Sequence, residues 1–532
     1  MADICPVTYC TNSDAKLVTV LLRRNYNSTQ KIGESEIMNK AAGTVVAIVV
    51  VAGVAWAGAS WYTGTRVEAE LNQSIERANA QMLEVAPEWA GKLSLASFEK
   101  GVFSSHARYL LTLPDMASKD AEPGAAAAPA KMHEIVIADR IEHGPFPMSR
   151  IAAGGLTPVM ATSNFELERN ASVEEWFKHT NGAVPMSGQA SLGYGGAVDG
   201  KLSLAPVNYE TPTDGITFSG LDLNFDVNAD RSVSKLDGDF DHLSFKTQNE
   251  QGTPTTFEVR TVVLNSDMRG MFIGQNEITA KTLTITVPDS KVEIADYAQR
   301  MDLKEADNKV SGSLGYEVGQ VRVNGADLAS GQFLLRVKDL DAAAITRMSE
   351  IYRESAIRAA QADGTASPEA TPQEQQAFMD AVMQSLAGNP TLEIDPLLIK
   401  TAKGEGRFNL KVDLKKPADP AMTMDAIVAQ MVSSLDARLV VSKPMLTDLL
   451  AFQATSAGAP ADAAQKQAAQ QSEMIGMMSQ QMGAARVDGE NIVSTLSYSK
   501  GEIDFNGKKM PVEDFAGSLL SMVLGGGMAV RP

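Results

Sequence analysis

The chain has 532 residues and a formal net charge of −18, with 47 Lys and Arg against 65 Asp and Glu. That balance argues against sequence-independent nucleic-acid binding, which needs basic patches to neutralise phosphates, and against adhesion of the body to anionic headgroups by charge. Its two cysteines are Cys5 and Cys10, so thiol catalysis is excluded from residues 66–532, and that body rests on its own hydrophobic core without disulfides.

Residues 1–37 hold both cysteines and no sustained period. They read as a disordered tail or translated upstream sequence, with Met38-Asn39-Lys40 as a native start. Ala41–Thr65 (AAGTVVAIVVVAGVAWAGASWYTGT) carries no charge and is flanked by Lys40 and Arg66. About 20 apolar residues span a bilayer as a helix, so residues 38–65 are expected to form a transmembrane signal anchor. Ala41, Val46, Val50 and Val54 belong to its apolar run, and Trp56, Trp61 and Tyr62 gather at one end, where aromatic rings favour the interface. Arg23, Arg24, Lys31 and Lys40 precede the run, whereas Arg66 and Arg77 follow it among Glu68, Glu70, Glu76 and Glu84. This bias places the N-terminus in the cytoplasm and the body outside. A cleaved signal peptide is the rival reading, because Ala57-Gly58-Ala59 after the apolar run imitates a cleavage site.

Arg66–Ala86 is expected to be a helix with Val67, Leu71, Ile75, Ala78 and Met82 near one face. The period then changes to that of strands over Ser97–Leu113 and Met132–Glu142, where Val136 and Ala138 fall between Ile135, Ile137 and Asp139. Asp115–Lys131, rich in Ala, Pro and acid, has the composition of a solvated loop. From Ser163 to Leu340 strand signals recur as a long antiparallel meander: Gly220–Val227, Leu236–Phe245, Thr256–Leu264, Leu283–Val287, Leu314–Val323 and Gln332–Leu340. Asp237-Gly238 and Asn324-Gly325 are turn-type dipeptides, the first also readable as a bulge. Asp341–Ala362 predicts a helix, Asp363–Gln373 a linker and Glu374–Leu386 a second helix. A strand pair near Leu392–Leu414 follows, then helices over Met422–Leu435 and Lys443–Phe452. Ser456–Gln471 is low-complexity sequence before helix to Met482, and strands Ile492–Tyr498 and Glu502–Phe505 close the pattern with a turn at Asn506-Gly507.

The candidate chemistry is thin. Gly195–Leu202 nearly matches a phosphate loop, but Leu202 replaces the hydroxyl that holds Mg²⁺ and the context is turns among strands. Asp222, Asn224, Asp226, Asn228 and Asp230 alternate along a strand, where same-face residues stand too far apart to share one Ca²⁺, so they read as a solvated face. His106, His133, His143, His179 and His242 form no metal spacing. Met474, Met477, Met478 and Met482 suit Cu(I) in principle, but an adaptable apolar helix face explains them better.

Three stretches carry a resemblance: Phe98-Glu99-Lys100-Gly101-Val102-Phe103-Ser104-Ser105-His106-Ala107-Arg108, Ile141-Glu142-His143-Gly144-Pro145-Phe146-Pro147, and Tyr498 to Lys508 with Asn506-Gly507. With one N-terminal span they resemble the YdgA-like family of Gram-negative envelope proteins, a domain family of unknown function. The resemblance covers Met38 to Pro532 and implies an inner-membrane anchor with a periplasmic body. It implies no reaction, so no catalytic residue is carried over. The signature residues Gly101, Phe103, Ser104, Ser105, His143, Gly144, Pro145, Phe146, Asn506 and Gly507 are read as structural, since Gly-Pro fixes turns and Gly permits close approach.

The expectation is therefore an α+β protein: one N-terminal transmembrane helix, a strand-rich periplasmic domain over 66–340, and a mixed helix and strand domain over 341–532. No cofactor, metal or enzymatic activity is expected. The leading function is an envelope scaffold, self-associating or binding envelope proteins. The alternative is a lipid carrier with an apolar groove in its sheet, expected to show apolar residues on both strand faces.

Overall fold

A computed structural model of the protein describes residues 75, 76, 78, 79, 82, 91–101, 104–114, 132–143, 145–229, 233–248, 252–269, 273–361, 371–417, 430–512, 514 and 515. The expected anchor residues, Ala41 to Tyr62, and the extension 1–37 lie outside these. No described helix is long and apolar enough to cross a membrane.

The first strands are β1 (Lys92–Glu99), β2 (Ser104–Pro114), β3 (Met132–His143), β4 (Ala161–Glu168), β5 (Met186–Leu192) and β6 (Val198–Leu204). Two short helices interrupt them, α1 (Met148–Ala152) and α2 (Glu174–His179). A small hairpin, β7 (Val207–Glu210) and β8 (Gly215–Phe218), leads to β9 (Leu221–Val227). Six long strands follow: β10 (Val233–Gln248), β11 (Pro254–Arg269), β12 (Ile273–Val287), β13 (Ser290–Ala306), β14 (Lys309–Val323) and β15 (Ala326–Asp341). At 15 to 17 residues each they run about 50 Å. A helical pair, α3 (Ala342–Gln361) and α4 (Pro372–Ser385), precedes β16 (Thr391–Lys400), β17 (Glu405–Leu414) and β18 (Val432–Ser442). A second pair, α5 (Lys443–Ser456) and α6 (Ala461–Gln481), precedes β19 (Arg486–Asp488), β20 (Asn491–Ser499), β21 (Glu502–Phe505) and β22 (Lys508–Pro511).

All of these strands join one antiparallel sheet in which almost every strand pairs with its sequence neighbour. The exceptions are β6 with β9, β8 with β10, and β18 with β20. The register aligns one row of residues across seventeen strands. It runs Phe98–Ala107–Asp139–Phe165–Gly188–Leu202–Leu223–Gly238 and continues Leu264–Ile278–Gln299–Tyr316–Phe333–Leu397–Phe408–Leu439–Ser494. Directly opposed residues share a face, so a single mainly apolar face runs the length of the sheet.

Only the first part of that face is fully packed. The core cluster takes Leu93, Tyr109, Ile137, Phe165, Met186 and Leu202, with Ile75, Ala78 and Met82 from the preceding helical residues and Phe177 from α2. Beyond β9 few side chains are fully buried. The helices lie mainly against the sheet's margin: α3 and α4 touch β15, α5 touches β15 and β18, and α6 packs on α5 and β19. None packs broadly on β10–β14.

A transverse line of slipped residues keeps this face continuous. Apolar residues occupy even positions in β10 from Leu236 to Phe240 and odd positions from Leu243; in β11 Phe257 and Val259 give way to Val262 and Leu264. Asp241, Thr261, Lys281, Asp296 and Gly319 sit at the change, opposite one another and outside the paired register. Thr261 and Asp296 have φ of 50° and 52°, and a Cβ on Gly319 would stand 2.8 Å from the Asp296 Cβ. One unpaired residue per strand at the same level interrupts the ladder across five strands and shifts the alternation by one without changing the register, so the apolar side stays on one face.

Several expectations are corrected. The described protein is mostly β with few helices, so α+β overstates the helical share; the antiparallel meander stands. Val432–Leu435 belongs to β18, not to a helix, because its apolar residues continue the sheet row. Residues 461–471, read only as low-complexity sequence, are helical in α6, where Ala464, Ala468 and Ser472 form a small-residue stripe against α5. Asp237-Gly238 is neither turn nor bulge but regular β10. Strand β13 falls inside the expected meander without being one of its clear strands, and β15 pairs with β16 over Ser330–Lys338.

Candidate functional site

The first two signature stretches meet at one end of β2 and β3. Ser104 pairs with Glu142 and Ser105 with Ile141. The fully buried Ser105 hydroxyl lies 3.0 Å from His143 Nε2. Burial and then the nearby Lys100 charge hold the His143 imidazole below its usual range. A serine beside a neutral histidine has the parts of a nucleophile pair, but enclosure keeps substrate from Ser105, so the contact ties strand to strand. A Cβ on Gly101 would lie 2.1 Å from the Ser104 carbonyl oxygen, a close approach that requires glycine. Pro145 accepts a backbone bond from Val159, and Phe146 is exposed. Phe103 and Gly144 lie outside the described residues.

The third stretch is structural too. Asn506, at φ 55°, accepts from the Thr495 backbone N–H through Oδ1 and donates through Nδ2 to the Gly483 carbonyl. It pins the turn between β21 and β22 to the end of α6, and Gly507 donates its N–H to Asp504.

Asp139 was not among the sequence candidates. It is 2 % exposed, on the core side of β3 in phase with Ile135, Ile137 and Ile141. Ser163 donates to it at 2.7 Å and Tyr109 at 3.3 Å, and the Asn164 backbone N–H donates as well. Burial outweighs these donors and pushes its carboxyl up to about 7. The same enclosure drives the Tyr109 phenol well above its usual range. The available signal was a carboxylate at the period of three isoleucines.

The charged residues that sequence suggested for ligands are paired along the outer face. Asp222 contacts Ser203 and Lys201, and Asn224 donates to Asp237. Gly195–Leu202 is the β5–β6 turn and strand β6, with no helix after it. His242 faces Glu258 at 3.1 Å. Among the described residues no three His, Cys, Asp or Glu side chains cluster as a metal site. Arg300 bridges Glu277 and Glu317 at 2.7 Å each, and Arg322 bridges Glu293 and Asp327. A trough of about 560 Å³ on this face mixes Glu393, Asp395, Lys411, Asp436 and Arg438. Its alternating signs favour neither an anion nor a cation.

The opposite face is different in kind. Leu397–Phe408–Leu439 and Ile399–Gly406–Val441 form adjacent rows across β16, β17 and β18. Leu397, Ile399 and Leu439 are 42 %, 44 % and 41 % exposed, and Ile285 of β12 is 43 % exposed. The carrier expectation of two apolar faces is thus replaced by one apolar and one ion-paired face. The methionines of α6 are not core either: Met474, Met477, Met478 and Met482 are exposed opposite its buried small-residue stripe.

Relatives with names exist, though none brings a mechanism. The chain is 30 % identical over 492 residues to "Protein YdgA" of Escherichia coli K12, covering 90 % of this chain and 96 % of that one. It is 24 % identical over 493 residues to "Uncharacterized protein YihF" of the same organism, covering 90 % and 98 %. A Haemophilus influenzae "Uncharacterized protein" is 26 % identical over 196 residues, 35 % of this chain and 48 % of that one. No solved structure matches. Residues 38–513 match the family described as "Bacterial protein of unknown function (DUF945)", and the chain belongs to that YdgA-like family.

Proposed function

We propose that this protein is a membrane-anchored envelope protein that shelters the acyl portion of a lipid-like ligand on the apolar face of its long sheet. The carrying observation is the mainly apolar row from β9 to β18, broken by Gly238 and Gln299, with the ion-paired face opposite and the described helices confined to its margin. Contiguous exposed apolar area of this kind marks a place where something binds. Covering Leu397, Ile399 and Leu439 would each be worth about 2 kcal/mol at ~25 cal/mol per Å². Eight strand spacings from β10 to β18 give a path of about 38 Å, long enough for an extended hydrocarbon chain. No catalytic role is proposed, since Ser105 is sealed and Asp139 is enclosed. The anchor at 41–65 and a periplasmic body are part of the same reading, supported by the charge asymmetry around that run.

The scaffold reading keeps one observation, the open edge at β22, which among the described residues pairs with β21 alone. That edge reads Lys508-Lys509-Met510-Pro511, the composition that blocks strand addition, so it ranks second. A photo-reactive side chain at Leu439 in the full-length protein, activated in cells, separates the two. Lipid adducts at Leu439, absent from the same probe at Arg438 on the charged face, support the carrier. Equal or absent lipid labelling at the two positions refutes it.

A further inference from the structure

We infer that the connection between β3 and β4, over residues 145–160, is a second membrane contact that seats the body on the lipid surface its anchor enters. The inference rests on the anchor proposed above, and its partner is a bilayer surface.

The first observation is what this connection exposes. Met148 and Leu156 are each 73 % exposed, Phe146 55 % and Ile151 38 %. In the neighbouring β5–β6 turn, Tyr194 is 58 % exposed. Aromatic and long aliphatic side chains are those that partition into a headgroup–acyl boundary.

The second observation is that the exposed side chains ride on a fixed frame. Glu142 accepts from both the backbone N–H and the hydroxyl of Ser149, at 2.9 and 3.0 Å. Arg150 is ion-paired with Asp199 at 2.8 Å and donates to Thr157 at 3.0 Å. Val159 bonds back to Pro145, closing the loop. Polar groups thus point down into the fold while apolar ones point out. Arg150 is the one charged residue between 144 and 160, in a chain of net charge −18. The connection itself carries no acid, and the exposed Asp199 beside it is paired with Arg150, so its attraction to a bilayer is apolar rather than ionic.

The third observation fixes the side from which the anchor arrives. Met82 Sδ stands beside Gly91, at the level where Leu113 lies. Asn79 exchanges two hydrogen bonds with Leu93, at 2.7 and 2.9 Å. Earlier helical residues therefore meet later residues of β1, so the helix runs antiparallel to β1. Traced backwards, the chain leads toward the Glu99 end of that strand. Register carries this end across the sheet: Glu99 opposes His106, Ser104 opposes Glu142, and His143 opposes Ala161. The 145–160 connection is at the same end, as is the β5–β6 turn, because Ala161 opposes Leu192. Nine peptide units separate Ile75 from Arg66, the first charge after the apolar run. They span about 14 Å as helix or at most about 30 Å extended. The bilayer is therefore held within that distance of the end that carries the exposed cluster.

The test uses the full-length chain with Cys5 and Cys10 replaced by Ser, reconstituted into phosphatidylethanolamine–phosphatidylglycerol vesicles. Single cysteines at Leu156 or Met148, and at Lys178 in α2 beyond the opposite end of β4, carry an environment-sensitive fluorophore. Blue-shifted emission and quenching by a lipid-borne quencher at Leu156 and Met148, with neither at Lys178, is the expected result. Vesicle flotation is measured in parallel. A floating protein whose Leu156 label is as water-exposed as its Lys178 label overturns the contact while leaving the anchor intact. A protein that does not float overturns the anchor and the contact together.

Discussion

Replacing Asp139 by asparagine isolates what it costs to keep a carboxyl group among the isoleucines of β3. The folded protein holds that group at about 7, whereas an unfolded chain ionises it near 3.9. The raised value means its contribution to stability is complete below about pH 4 and is lost as pH rises to about 7, because only the unfolded state releases the proton. Three pKa units correspond to about 4 kcal/mol, an upper value. Asparagine keeps an acceptor for Ser163 but turns an amide toward Tyr109, a mismatch worth about 1 kcal/mol at any pH. Asp139→Asn is therefore expected to be slightly less stable than the parent near pH 4 and about 3 kcal/mol more stable near pH 8. Urea titrations of both proteins, followed through fluorescence of tryptophans that include the core-packed Trp176, give the difference directly. A variant that is destabilised equally at both pH values would refute the reasoning, since the carboxylate would then be ionised and held by its donors.

Other substitutions probe the signature and the two faces. Gly101→Ala drives a methyl into the Ser104 carbonyl, and a loss of more than about 2 kcal/mol is expected in thermal melts; an unchanged midpoint would remove the close-approach explanation. Ser105→Ala removes the bond to His143 at about 1 kcal/mol, and its NMR signature is a change in the His143 ring resonances without loss of the other four histidines' shifts. Arg300→Gln breaks two exposed ion pairs and is expected to cost under about 1 kcal/mol, less still at high salt; a larger, salt-independent loss would mean the charged face is not solvated. Leu439→Glu is expected to leave the melting midpoint nearly unchanged and to abolish lipid labelling from a neighbouring probe at Leu397, and a collapse of folding would show that this face is packed.

Much of the meander was legible because its two periods are honest reports of two faces. The starts of α3 and α5 follow from apolar spacing, whereas α4 begins at Pro372, inside the expected linker, where the Thr371 side chain caps its first turn. Strand length was not legible. Asp241, Thr261, Lys281, Asp296 and Gly319 shift the alternation by one, so a reader of period 2 stops where the protein continues. In β13 the shift falls at Asp296, with Tyr297 and Ala298 adjacent, and the alternation on either side is too short to stand alone. The Ala/Gln stretch of α6 was lost for the opposite reason: it is a good helix sequence whose buried side is alanine and serine, so composition hid the period. At the candidate site, the signature positions were legible as turns and close approaches. Their joining through Ser105 and His143 depends on register, which spacing alone does not give.

Pairing each strand with its neighbour in sequence has a consequence for how the protein is made. A chain delivered N-terminus first needs little of what comes later to complete what has already arrived. After Ile75, Ala78 and Met82 meet β1, each new strand adds to a sheet edge already waiting for it, and loop closure stays short and fast. The hairpin of β7 and β8 is a small detour, because β6 waits for β9. Apart from the non-sequential pairings the growing edge is the most recent strand, and among the described residues the last one offered is β22, whose two lysines and proline disfavour further addition. Assembly can thus proceed as a one-way zipper.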